Sequence, residues 1–380
     1  MYPFKSHTFL VLFFESFQKI KTVLFISIIV LASGRCLLAQ ENKSTPSPGN
    51  HEFYSGDYTN QGIIGNSLPG SYRPFSDDSP WNKPIPKNIP THPDSQKIIA
   101  FAVTQAKNIR LTKSYTIPVW VVNSKNIPHV KMRSDVIFDT WDKDRDGWSD
   151  VGVPLTETMY PEPSPEHHLC IVDPLKNTAW EFGYYTRMED GTPRCTTFNI
   201  WDLTGSGVGN PFEGRRWRAR GGRASGFPLI AGLLRPEELA AGEIRHALAF
   251  GFVQNRGDKD DVYETFIYPP ACRSDGKFEG TQYPVEGMRF QLDPTLGEKD
   301  FNAWGLNREG KIVARALQKY GMFLGDSGPA MALWPQLLGP SKEENLKRWE
   351  ELYPGFYKNV EKIPTSKFRV LYTGEPVTQK

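Results

Sequence analysis

Short runs of β-branched and aromatic residues recur between turns through the middle of the chain. They are Thr116 to Val122, Val136 to Thr140, His168 to Val172, Ala179 to Thr186, Thr196 to Asp202, Ile244 to Val253 and Val262 to Ile267. Strands at this spacing predict a mainly β protein with a few helices, a single large domain of β-sandwich or jelly-roll type. Helical periodicity is confined to a few places. Gln96 to Ala106 reads as a helix, and Pro236 followed by Glu237 and Glu238 reads as a short helix start, with proline at the first position and acids in the first turn. In Arg308 to Tyr320, Ile312, Val313, Ala316, Leu317 and Tyr320 fall on one face, with Gly321 placed to cap. Ser341 to Leu352 carries a capping box, Ser341 with Glu344 three residues on. No internal repeat is visible.

The N-terminal pattern differs. Lys5, Lys19 and Lys21 precede an uncharged apolar run, Val23 to Ala32, which ends in small and polar residues near Ala39. That is the layout of a cleavable export signal, expected over residues 1–39. The run is about half of the roughly 20 apolar residues that span a bilayer, so no stable membrane span is expected after cleavage. Residues 40–74 are rich in Ser, Pro, Gly, Asn and Thr and read as a flexible linker, followed by a globular domain over 75–380. The expected location is secreted, periplasmic or extracellular.

Charge then narrows the partners. Removing the leader takes four of the 45 Lys and Arg and one of the 43 Asp and Glu, leaving 41 against 42. A near-neutral chain lacks the basic excess of a nucleic-acid binder. Beyond the leader only Cys170, Cys195 and Cys272 remain, so at most one internal disulfide can form, by any of three pairings, and stability must come from a packed core.

Three local patterns carry candidate chemistry. Asp142-Lys-Asp144-Arg-Asp146-Gly147-Trp148-Ser-Asp150 places acids at alternate positions before a turn glycine, as a loop wrapping Ca²⁺ does, with the Trp148 carbonyl as a further oxygen. It resembles the short calcium loops of dockerin-like and thrombospondin-type repeats, but has Val153 where an EF-hand has its bidentate Glu. Such an ion would be structural. The second pattern is Gly214 to Arg223, where Arg216, Arg218, Arg220 and Arg223 surround Trp217. Arginine forks grip carboxylate and sulfate groups and tryptophan offers a flat apolar face, so an acidic polysaccharide or oligosaccharide is the expected partner. The third is the placement of histidine. Alternation puts His168 on the face of Cys170 and Val172, and His246 with Ile244, Leu248, Phe250 and Phe252. A histidine on an apolar strand face is more often core than catalyst. On the concave face of a jelly roll, however, both could adjoin Tyr184 and Arg187.

Two blocks, Arg223-Ala-Ser-Gly-Phe-Pro-Leu-Ile-Ala-Gly-Leu-Leu-Arg-Pro-Glu-Glu-Leu to Leu248 and Ala314-Arg-Ala-Leu-Gln-Lys-Tyr-Gly-Met-Phe-Leu-Gly-Asp326, resemble a family of secreted bacterial proteins without an established activity. The resemblance implies that His168 to Asp326 is one module and draws attention to Ser225, Arg235, His246 and Asp326.

The expectation is therefore a carbohydrate-active enzyme on an acidic polysaccharide, working by β-elimination. Arg223 would neutralise the uronic carboxylate, His168 or His246 act as base and Tyr184 as acid, with Asp326 also in the site and Arg187, Arg216, Trp217, Arg218 and Arg220 binding substrate. A hydrolase would instead use a carboxyl pair from Asp173, Glu181, Asp202 and Asp326. The alternative class is a non-catalytic, calcium-stabilised carbohydrate-binding or surface-attachment protein.

Overall fold

The computed structural model describes residues 61–134, 141–211, 221–260 and 265–378. Strand exceeds helix, 24% against 19%, and most strands fall into two six-stranded mixed sheets. In the first, Ile63–Gly65, Ile117–Val122, Leu169–Asp173, Thr178–Gly183 and Thr197–Asp202 lie side by side, and Gln336–Leu337 pairs with Ile117–Val122. In the second the order is Phe368–Val370, Arg289–Leu292, Met322–Ser327, Leu248–Phe252, Ala332–Leu333 and Arg110–Leu111.

Parallel neighbours sit at the heart of both sheets: Val119 aligns with Cys170 in one, Leu248 with Met322 in the other. The architecture is mainly β, with curled mixed sheets and a few helices. The physical reason is in the sequence. Strands paired in parallel are covered on both faces and read as continuous apolar runs, and Ile117–Val122, Leu169–Asp173 and Leu248–Phe252 are buried at every position.

Alternation still decides which way each side chain goes. Val119, Val121, Cys170, Val172 and Ala179 enter the main core, while Trp120, Val122, Leu169, Ile171, Trp180 and Phe182 join Met132, Val153 and Cys195 in a second cluster. The three cysteines are buried free thiols, so none of the three pairings is used.

Among the described residues there are six α-helices, and none is long and apolar enough to cross a membrane. Helix Arg308–Lys319 buries Ile312, Val313, Ala316 and Leu317 against the second sheet's core, is capped by the Asn307 side chain on the Gly310 amide, and stops at Gly321 with φ 68°. A Cβ at Gly321 would lie 2.4 Å from the Phe290 carbonyl oxygen, so glycine is required there. Helix Lys342–Leu352 starts as its capping pattern predicts, Ser341 Oγ accepting from the Glu344 amide at 3.1 Å.

One expectation changes. Within the stretch read as linker, Ile63–Gly65 pairs with Ile117–Val122 and Leu68 is buried, so the fold takes in chain well before Phe75. Asp326 lies in strand Met322–Ser327. The runs Val136 to Thr140 and Val262 to Glu264 lie outside the described residues.

Candidate functional site

The first sheet's central hairpin sets the site. Leu169 pairs with Phe182, so the next residues out, His168 and Gly183 and then His167 and Tyr184, face each other at its open end. His167 and Tyr184 both have positive φ, 45° and 54°, a conformation that costs of order 1–3 kcal/mol at a non-glycine residue. That turn ends the strand and throws Tyr184 away from Phe182, leaving it 50% exposed. Gly183 leaves room for Thr197 on the neighbouring strand: a Cβ there would lie 2.5 Å from Thr197 Oγ1, while His168 Cδ2 would be at ordinary contact distance, 3.6 Å.

His168 is only 7% exposed. Its Nδ1 lies 2.6 Å from Glu162 Oε1 and its Nε2 3.6 Å from Glu166 Oε2. Burial pulls the imidazole's pKa down, but the Glu162 hydrogen bond and the charges of Glu162 and Glu166 outweigh it, and the net shift is upward. Loop Glu162 to His168 is closed on itself, the Glu162 amide donating to the His168 carbonyl at 2.9 Å. Glu162, Glu166 and His168 present ligand atoms within 4.8 Å of one another and can hold a metal ion; the short His168–Glu162 bond accounts for their closeness without one.

Arg223 forms the floor. It is 2% exposed and its guanidinium stacks 4.1 Å from the Trp334 ring centroid. Burial lowers its pKa, opposed by Asp326, Glu181, Glu162 and Glu166. Asp326, half-buried, accepts from the Ala224 amide, and burial together with the charge of Asp275 pushes its carboxyl up to about 7. Glu181, fully buried, accepts from Trp201 Nε1 and the Ile230 amide, both at 2.9 Å, yet burial carries it to about 7. Glu286 goes well above the carboxylate range through burial and a carboxyl–carboxyl hydrogen bond with Asp275. Tyr184 is raised as well, by burial and then by the neighbouring Glu166, Asp326 and Tyr115. The result is an acid-rich centre in which several carboxyls hold protons near neutrality, open to solvent at Tyr184, Glu166 and Asp326.

Four of the five expected catalytic residues, His168, Tyr184, Arg223 and Asp326, thus share one site. His246 does not join them. Its Nε2 pairs with Glu238 at 3.0 Å, and Glu238 also takes Arg235 Nη2 at 2.7 Å. The cavity beside this second network, lined by Trp81, Asn82, Arg235 and His246, has a volume of only about 10 Å³, room for water and not for a sugar. Sequence alternation placed His246 on a strand face, but the strand begins only at Leu248.

Arg187 also stands apart, donating to the carbonyls of Gly191 and Thr156 at 3.1 and 2.9 Å. Arg216, Trp217, Arg218 and Arg220 lie outside the described residues. Of the carboxyl pair a hydrolase would need, Asp173 is consumed by the Ser124, Leu175 and Lys176 amides and Asp202 by Thr204, which leaves Glu181 and Asp326. Ser225 packs below the site, its amide bonded to the Gly325 carbonyl.

Sequence reasoning passed over Glu162, Glu166, Asp275, Glu286 and Trp334. The run Glu162-Pro-Ser-Pro-Glu166-His-His168 held a readable signal, acids two and six residues before the histidine in a proline-rich turn. Asp275, Glu286 and Trp334 held none, because only the folded chain brings them near the site.

In the acidic loop, Asp142, Asp144 and Asp146 offer oxygens within 4.8 Å of one another. Asp142 accepts from the Asp146 and Gly147 amides at 3.0 and 3.2 Å, and Asp146 from the Trp148 amide at 2.8 Å. Asp150 turns instead to the Lys143 amide, and Trp148 lies under the Arg133 guanidinium at 5.3 Å. Hard oxygen donors closing on one point fit a divalent cation.

Compared with known proteins, the chain matches no family model, no curated protein and no solved structure.

Proposed function

We propose that this protein is an exported enzyme that cleaves an acidic polysaccharide by β-elimination. The observation that carries the reading is the convergence of His168, Tyr184, Arg223 and Asp326 at one partly open site. His168 Nε2 takes the proton from the carbon next to the uronic carboxylate, with Glu162 holding the ring from the Nδ1 side. The carbon–oxygen bond to the neighbouring sugar breaks, a carbon–carbon double bond forms, and the departing oxygen receives its proton from Tyr184, whose raised pKa keeps it protonated. Asp326, proton-bearing up to about 7, donates a hydrogen bond to the substrate carboxylate, while Arg223 supplies positive potential behind it. Substrate binding falls to Arg216, Trp217, Arg218 and Arg220, in the segment that leads directly into Gly221 and Arg223.

Loop 142–150 is the proposed home of a structural Ca²⁺, with Asp142, Asp144 and Asp146 as carboxylate ligands. It takes no part in the chemistry. The same loop favours the second reading, a calcium-stabilised binding protein without catalysis.

The test is incubation with a panel of uronate-containing glycans, following ultraviolet absorbance from new double bonds and, in parallel, reducing ends. Absorbance that disappears in His168→Ala supports elimination. Reducing ends without absorbance would move the assignment to hydrolysis by Glu181 and Asp326, and binding with neither product would leave the non-catalytic reading.

A further inference from the structure

The loop Glu162 to His168 has two sides. One carries Glu162 and Glu166 to the histidine. The other, through Pro163 and Pro165, walls a separate surface cleft of about 370 Å³, within the size range of small-molecule sites. The opposite walls come from Lys113 and Tyr115, ahead of the Ile117–Val122 strand, and from Leu337 and Lys342. The cleft and the His168 site thus share one wall, stiffened by two prolines and closed by the bond between Glu162 and the His168 carbonyl.

The lining has the chemistry of a saccharide subsite. Lys113 and Lys342 are exposed, and neither is paired with a carboxylate among the described residues. Glu343 is the one acid in the lining, so the cleft carries a net positive charge in a part of the molecule whose neighbouring site is crowded with carboxyls. Tyr115 is 43% exposed and, like Tyr184, adopts a left-handed backbone, φ 57° against 54°. Two exposed tyrosines held in a costly conformation, one lining this cleft and one beside His168, offer flat apolar faces of the kind on which sugar rings stack.

We infer that this cleft is a binding subsite for anionic sugar units flanking the one held at His168, with Tyr115 stacking on a ring and Lys113 and Lys342 receiving its carboxylate or sulfate. The inference rests on the glycan reading above and extends it from a single reacting unit to a chain crossing the Pro163–Pro165 wall. The consequence is a preference for longer substrates. Arginine-free contacts of this kind are point-charge contacts, so the preference weakens with salt.

The experiment uses the full chain and uronate hexasaccharides and disaccharides, with both kinetics and titration calorimetry. Lys113→Glu with Lys342→Glu, and separately Tyr115→Ala, should raise KM or Kd for the hexasaccharide about tenfold and leave the disaccharide unchanged; the lysine effect shrinks as salt is raised, and the tyrosine effect does not. If the wild type cleaves these glycans but the variants handle both lengths as it does, the subsite is lost and the enzyme reading stands. If nothing is cleaved yet hexasaccharide binding still falls in the variants, the subsite stands and catalysis is lost. Absence of hexasaccharide binding to the wild type overturns the subsite.

Discussion

Two buried histidine networks sit in this molecule, built from the same residue types, and they differ in what surrounds them. His246 is held by Glu238, which also takes Arg235, beside a cavity large enough for a single water. His168 is held by Glu162 and flanked by Glu166, but above it are an exposed tyrosine and the half-buried Asp326. Both networks hold a carboxyl raised by burial to about 7, Glu237 in one and Asp326 and Glu181 in the other. Only the first also holds a lowered one: although burial works against its charge, Arg235 with His246 lowers Glu238 to about 2. The first network is sealed from solvent, whereas the second is open to it, which is the difference on which the proposed catalytic role of His168 turns.

The strongest break of this comparison is kinetic. Once a cleaved glycan is identified, His168→Ala should lower kcat by about 10²- to 10⁴-fold, while His246→Ala, assayed where it remains folded, keeps kcat near wild type. Comparable losses in both would erase the distinction. Stability should run the other way. Arg235→Ala strands Glu237 and Glu238 in the interior and should cost about 3–5 kcal/mol in denaturant unfolding, more than His168→Ala does.

A smaller effect is in pH. The carboxyls of Asp326 and Glu181, raised to about 7 by burial, keep protons in the folded state that the unfolded chain releases near 4 to 5. The native state binds more protons in that window, so stability falls as pH rises from about 4 through about 7. His168, raised above 6.5, adds stability that is full below that value and fades as pH climbs through its folded pKa. Glu238, lowered to about 2, has the opposite sign: its contribution is present above 4.5 and lost as pH falls towards 2. Thermal melts from pH 4.5 to 8 should therefore show a declining Tm, and Asp326→Asn should flatten the decline. Glu237, also raised to about 7, lies in the other network and leaves a residual slope. The smallest shift belongs to the acidic loop, which touches neither network. A chelator should lower Tm by a few degrees if Ca²⁺ occupies Asp142, Asp144 and Asp146, by the mass-action stabilisation a ligand gives, and identical melts would remove the ion.

Much of the framework was legible in the residue pattern. The strands at Ile117–Val122, Leu169–Asp173 and Thr197–Asp202 and the helices at Arg308–Lys319 and Lys342–Leu352 lie within a residue or two of where periodicity and capping put them. Strands Arg289–Leu292 and Met322–Ser327 were not legible, because the first is buried throughout and the second over Met322 to Gly325, and buried runs without alternation look alike in helix and strand. Sheet type was beyond the pattern as well: alternation assigns faces, but not whether the neighbour across the ladder runs parallel.

The amino-acid order alone settled that His168 shares a face with Cys170, that Ser341 starts a helix and that Gly321 ends one, since each depends on residues a few positions apart. Tertiary structure alone decided which distant charges gather around the His168 site. Asp326 reaches Arg223 across about one hundred residues, and Glu286 meets Asp275 only because the chain folds back on itself. A pKa depends on burial and on charges nearby in space, and neither is a property of sequence neighbours.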